Sequence, residues 1–93
     1  MLHNPATEYP LAERQAGHEG TVILWIRVEL DGTPSKVSIA TSSGFALLDA
    51  SARNTVSRRW RFQAARQSGM TIAAEFLLPI RFALKEYRRL TLL

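Results

Sequence analysis

Residues 71–84 read TIAAEFLLPIRFAL, and apolar side chains occupy every second position over most of that length. A period of two is that of a β-strand, whose successive side chains leave opposite faces. Ile72, Ala74, Phe76, Leu78, Ile80, Phe82 and Leu84 share one face; Ala73, Glu75, Leu77, Pro79, Arg81 and Ala83 share the other. The first set reads as core and the second as the wetter side. Pro79 has no N–H to give to a ladder, so this strand is expected at a sheet edge or at a bulge rather than in mid-sheet. An edge leaves a row of backbone groups unpaired, a hazard when unmanaged and a docking surface when used.

A second strand is expected over residues 21–30, TVILWIRVEL, where Val22, Leu24, Ile26, Val28 and Leu30 alternate with Ile23, Trp25, Arg27 and Glu29. Ile23 and Trp25 lie on its outward face, so part of that face is expected to be covered, within the monomer or by another chain. Asp31-Gly32 marks a hairpin turn into a short return strand over residues 36–41. Ser42-Ser43-Gly44 then punctuates the chain, with either serine placed to accept from the first amides of a helix over residues 45–59. Leu48, Ala52 and Val56 form the stripe of that helix that faces a sheet. Trp60 and Phe62 alternate across Arg61, which places the chain in extended form with both rings in the core. Residues 63–70 read as a connecting loop that turns at Gly69.

The opening HNPATEYP, residues 3–10, is loop sequence, because Pro5 and Pro10 bias the residues before them away from helix. Pro10 suits the first turn of a short helix over residues 11–16, Gly17 suits its end, and Tyr9 is placed to pack over its start. For residues 85–93, a short strand, a helical turn and a frayed end all fit.

With 93 residues, 46% of them hydrophobic and 22% charged, the chain is the size of one domain with a single modest core. No run approaches the roughly 20 apolar residues that cross a bilayer, and the N-terminus lacks the basic-then-apolar order of a signal peptide. The chain therefore reads as soluble, and equally as the end piece of an anchored protein. The absence of cysteine excludes disulfides and thiolate metal sites. Charge is uneven: up to Ala52 there are three basic and six acidic residues, and from Arg53 onward nine basic and two acidic. A basic second half suits an acidic partner or an ordinary solvated face.

Catalysis finds no support. His3 and His18 sit in loop sequence without the companions of a metal site, the serines lack a nucleophile elbow or a histidine-based triad, and the glycines are scattered singly. No cofactor is implied. Nucleic-acid binding rests only on Arg58, Arg59, Arg61 and Arg66. It ranks low, because Trp60 and Phe62 sit where a core needs them and no RNP-like strand is present.

Taken in order, Tyr9-Pro10, Glu19-Gly20-Thr21-Val22, Asp31-Gly32, Val37, Ser42-Ser43-Gly44, Leu48-Asp49 with Ala52, Arg59-Trp60-Arg61-Phe62 with Ala64-Ala65, and Pro79-Ile80-Arg81-Phe82 resemble the C-terminal domain of TonB-type energy transducers. The resemblance covers about residues 9–84 of a single domain spanning 1–93. It departs at Ala64, where many relatives carry proline, and in the unmatched extension 85–93. It implies an α+β fold, in which a three-stranded antiparallel sheet (strand, strand, helix, strand after a short N-terminal helix) carries two helices on one face. It further implies a periplasmic domain of an inner-membrane-anchored protein of a Gram-negative bacterium, without enzymatic activity. Such a domain binds the TonB box of outer-membrane receptors for iron-siderophores, cobalamin and similar nutrients. An inner-membrane motor complex, engaged through an N-terminal region not in this chain, supplies force derived from the proton gradient.

Strand addition to the free edge places the peptide along Thr71, Ile72, Ala73, Ala74, Glu75, Phe76 and Leu77, ahead of Pro79. Glu8, Tyr9 and Pro10 form the neighbouring loop that the resemblance adds. A homodimerising structural or sensory domain that uses the same edge is the alternative, motivated by Trp25 and the leucine-rich tail.

Overall fold

A computed structural model of the chain describes residues 4–85, so His3 and the extension beyond Lys85 lie outside the described residues. Seven elements follow in order: α1 (Leu11–Ala16), β1 (Gly20–Val28), β2 (Pro34–Thr41), α2 (Ala46–Arg59), β3 (Ala65–Gln67), β4 (Met70–Ile72) and β5 (Ala74–Phe82). The fold is α+β, with a three-stranded antiparallel sheet in the order β2-β1-β5 and a separate two-stranded sheet of β3 and β4.

β1 sits at the centre because its alternation is the cleanest in the chain. Val22, Leu24, Ile26 and Val28 are buried, and Leu48, Ala52 and Val56 of α2 close over them as the helical stripe requires. Burying each large side chain of this set contributes roughly 2 kcal/mol. α1 joins the same core through Tyr9, whose ring meets Phe82 edge-on with centroids 5.3 Å apart. Gly17 ends α1 in the left-handed conformation at φ 73°, as its position in the sequence implied.

The β1–β2 hairpin turns at Asp31-Gly32, where the Asp31 carboxylate accepts from the Thr33 amide at 3.0 Å. Gly32 has φ 85°, and a Cβ there would stand 2.1 Å from the Phe62 carbonyl oxygen. No other residue fits. Its own carbonyl accepts from the Phe62 amide at 2.8 Å, which ties the hairpin to the chain leaving α2. Trp60 donates its indole N–H to the Pro5 carbonyl at 2.7 Å, and Asn4 bridges the Arg61 backbone, accepting from its amide and donating to its carbonyl. Trp60 and Phe62 are half-buried and packed against the core, as expected of them.

Three local expectations are corrected. Residues 63–70 are not a plain loop: β3 pairs with β4 across Ser68-Gly69, both at positive φ (52° and 80°), as a two-residue hairpin turn requires. The long strand over residues 71–84 is divided. Its first residues belong to β4, Ala73 breaks the run, β5 ends at Phe82, and Ala83 turns into the core instead of outward. Finally, neither serine before α2 caps a helix amide. The Asp49 carboxylate reaches back from the first turn and accepts from the Ser42 hydroxyl and from the Ser43 amide and hydroxyl, fixing the turn from inside the helix.

Candidate functional site

β5 pairs with β1 over nine consecutive residues, from Gly20↔Phe82 to Val28↔Ala74, without a register shift. Opposed residues in such a pair alternate between exchanging both hydrogen bonds and exchanging none. Pro79 stands opposite Ile23 and has no N–H, so it belongs to the set that exchanges none with β1. Glu75 and Leu77 share its parity. Their N–H and C=O groups therefore point away from β1, towards a side on which no strand lies among the described residues. The proline is thus accommodated without a bulge, and it interrupts the outward-facing donors of β5 between Leu77 and Arg81.

The side chains along this edge are uneven. Leu77 is 59% exposed and pairs across the sheet with half-buried Trp25, over whose ring the Lys36 ammonium sits at 5.7 Å from the centroid. Glu75 lies opposite Arg27 and accepts from its guanidinium at 3.2 Å, while Arg27 also donates to Glu29 at 2.8 Å. Hydrogen bonds from Ser35 and then Arg27 hold the Glu29 carboxyl below its usual range. On the opposite face Phe76, 36% exposed, meets Phe62 edge-on with centroids 5.5 Å apart. Met70, Thr71 and Ile72 form β4 and spend backbone groups on β3, while Ala73 is the joint between the two strands.

Glu8, Tyr9 and Pro10 lie elsewhere. The Tyr9 ring is buried beside Phe82, and its hydroxyl donates to the His18 carbonyl. Burial pushes that hydroxyl's pKa up, and the Glu19 and Glu13 charges add to the effect. The Glu8 carbonyl accepts from Ser51 of α2, and the Pro10 carbonyl accepts from the Glu13 and Arg14 amides of α1. Tyr9 is therefore beside one end of β5 and Leu77 five residues along it, a separation of about 17 Å at strand rise. The fold does not bring the two parts of the expected site into one contact surface.

His18, expected at the surface, is more engaged than its loop position implied. Its ring stacks on Phe45 at 4.1 Å, and its Nδ1 pairs with the buried Glu13 carboxylate. Among the described residues no group of three or more His, Cys, Asp or Glu is placed to hold a metal ion, and no helix is long and apolar enough to cross a membrane.

A small sheet backed by helices, with one side of β5 bearing no strand among the described residues, belongs to the class of domains that can take an extended chain as an added strand. Residues 5–84 match the family described as the Gram-negative bacterial TonB protein C-terminal, and the chain belongs to that family. It is 40% identical over 83 residues to Protein tonB2 of Pseudomonas aeruginosa, an overlap of 89% of this chain and 30% of that protein. It is 36% identical over 77 residues to Protein TonB of Xanthomonas campestris pv. campestris (83% of this chain, 34% of the relative). Against Protein TonB of Vibrio cholerae it is 35% identical over 77 residues (83% and 31%). The chain spans about a third of the length of these relatives.

Proposed function

We propose that this domain grips a short extended segment of an outer-membrane receptor, its TonB box, by strand addition to β5, and passes on a pull that drives nutrient uptake. The outward row of backbone groups on β5, set by the parity of Pro79 and without a neighbouring strand among the described residues, is the observation that supports this reading. Ala74, Glu75, Phe76 and Leu77 supply the paired stretch, with Thr71, Ile72 and Ala73 as its continuation. Glu8, Tyr9 and Pro10, at the Phe82 end of β5, lie outside this paired stretch, and Tyr9 holds their loop through its ring. Each main-chain bond contributes about 1 kcal/mol net, less the cost of ordering a flexible segment, which places the affinity near micromolar. Pairing through backbone tolerates varied side chains, so one domain can serve several receptors for iron-siderophores or cobalamin-type nutrients.

The working location is the periplasm, with the domain held at the inner membrane through a preceding region that engages a proton-driven motor complex. Catalysis and cofactors have no part in this reading. Titration with a receptor-derived box peptide, followed by amide NMR shifts, tests it: residues 74–77 should move first, and a response confined to another surface would rule the edge out. Exposed Leu77 beside Trp25 favours one further reading, in which a second copy of the chain occupies the same edge. Sedimentation showing a monomer at all concentrations would dismiss it.

A further inference from the structure

Apart from Arg81, the basic surplus of the second half among the described residues lies off β5. α2 carries Arg53, Arg58 and Arg59 exposed, and its one acid, Asp49, is buried on the Ser42-Ser43 turn. Arg58 and Arg59 line a groove of about 410 Å³ between α2 and the incoming chain, together with Glu8, Pro10, Asn54 and Thr55. Among the described residues, neither guanidinium nor the Glu8 carboxylate has a hydrogen-bond or ion partner. Glu8 is held at the Ser51 end through its carbonyl, whereas Arg58 lies seven residues along the helix, about 10 Å away at helical rise. The groove therefore carries opposite charges on its two walls, Glu8 on the incoming chain and the arginines on α2, with Asn54 and Thr55 also in its lining.

The wall opposite α2 is pinned in place. Asn4 holds the Arg61 backbone, the Pro5 carbonyl accepts from Trp60, and the Tyr9 carbonyl accepts from Arg14 at 3.0 Å. A groove fixed in this way adds little ordering cost to binding. We infer that it is a second docking site, which takes an extended peptide segment of a partner protein carrying an acidic and a basic side chain about three residues apart. Three strand steps span roughly 10 Å and leave the two side chains on opposite faces of the segment, so the acid turns to the arginines on the α2 wall while the base turns to Glu8 on the other. Peptide is favoured over a lipid surface, because the site is concave, offers hydrogen-bonding groups to a main chain, and sets a carboxylate on its rim that repels dense phosphate.

The test uses the 93-residue chain and acetyl-Gly-Asp-Ser-Ser-Lys-Gly-amide at low salt, with the Asn and Gln counterpart of that peptide as control. The expected result is amide shifts at Glu8, Asn54, Thr55 and Arg58 with residues 74–77 unmoved. Affinity should be roughly threefold to tenfold weaker for the uncharged peptide and for the Arg58→Gln/Arg59→Gln variant. Both arginines are exposed, so the variant keeps its thermal transition. Equal affinity for the two peptides, shifts outside this groove, or no binding of either would overturn the proposal, as would arginine-dependent binding to phosphatidylglycerol vesicles in place of the peptide. Box-peptide binding at residues 74–77 is read separately, so either site can fail alone.

Discussion

The two halves of β5 share one strand and one register, yet they do different work. Ile80 and Phe82 are buried, Phe82 carries Tyr9 against its ring, and just past the strand the Leu84 amide donates to Glu19 at 2.9 Å. Residues 74–77 are half-buried to exposed, with Phe62 beneath Phe76 and no strand beyond them among the described residues. A one-residue slip would send Ile80 and Phe82 to solvent, so the closed half fixes the register for the open half as well. The exposed end is thereby aligned by the buried one.

The largest contrast is expected in packing. Phe82→Ala should cost about 3–5 kcal/mol in urea denaturation, and Phe76→Ala only about 1–2, since its ring is partly exposed. Equal losses would mean that the halves are not distinct. A backbone contrast comes next. Leu78→Pro removes a bond to β1 and should cost about 3 kcal/mol, whereas Leu77→Pro removes an N–H that faces outward and should cost less than about 1 while weakening peptide binding. If both variants unfold alike, the parity assignment fails.

Gly32→Ala should follow at about 2 kcal/mol, because it combines positive φ with a clash against Phe62, the support of the open half. The smallest effect concerns the closed end, where Ser43 lies against Gly20, the partner of Phe82. Burial alone would raise the Asp49 carboxyl, but its bonds from Ser42 and Ser43 outweigh burial and hold it below the usual range. With a folded value below the unfolded one near 3.9, its stabilisation is complete above that pH and is lost as pH falls through the folded value. Asp49→Asn should therefore cost about 1–2 kcal/mol at pH 7 and flatten the acid limb of stability. An unchanged limb would assign acid sensitivity to other groups; Glu29 and Asp31 shift in the same direction.

Much of the fold was legible because the signals were periodic. The alternation in β1 and β5, the stripe of Leu48, Ala52 and Val56, and the turn at Asp31-Gly32 each stated their element directly. β3 was not legible, since Ala65, Arg66 and Gln67 are too few and too exposed to show a period. The break at Ala73 left no trace beside Ala74. The work of Asp49 is to bind backward onto serines, which depends on where the turn folds and left no trace in the sequence. The site was legible as an edge containing a proline; which backbone groups face outward required knowing that β1 is the neighbour. The Glu8 groove depended on a contact with Ser51, 43 residues away.

Hydrogen exchange with and without a saturating box peptide tests the open edge most directly. Slowed exchange of the Glu75 and Leu77 amides, with Phe76 and Leu78 unchanged because they already bond β1, is the expected pattern. Unaltered exchange at Glu75 and Leu77 in a domain that still binds the peptide would show that β5 is not where the partner strand pairs.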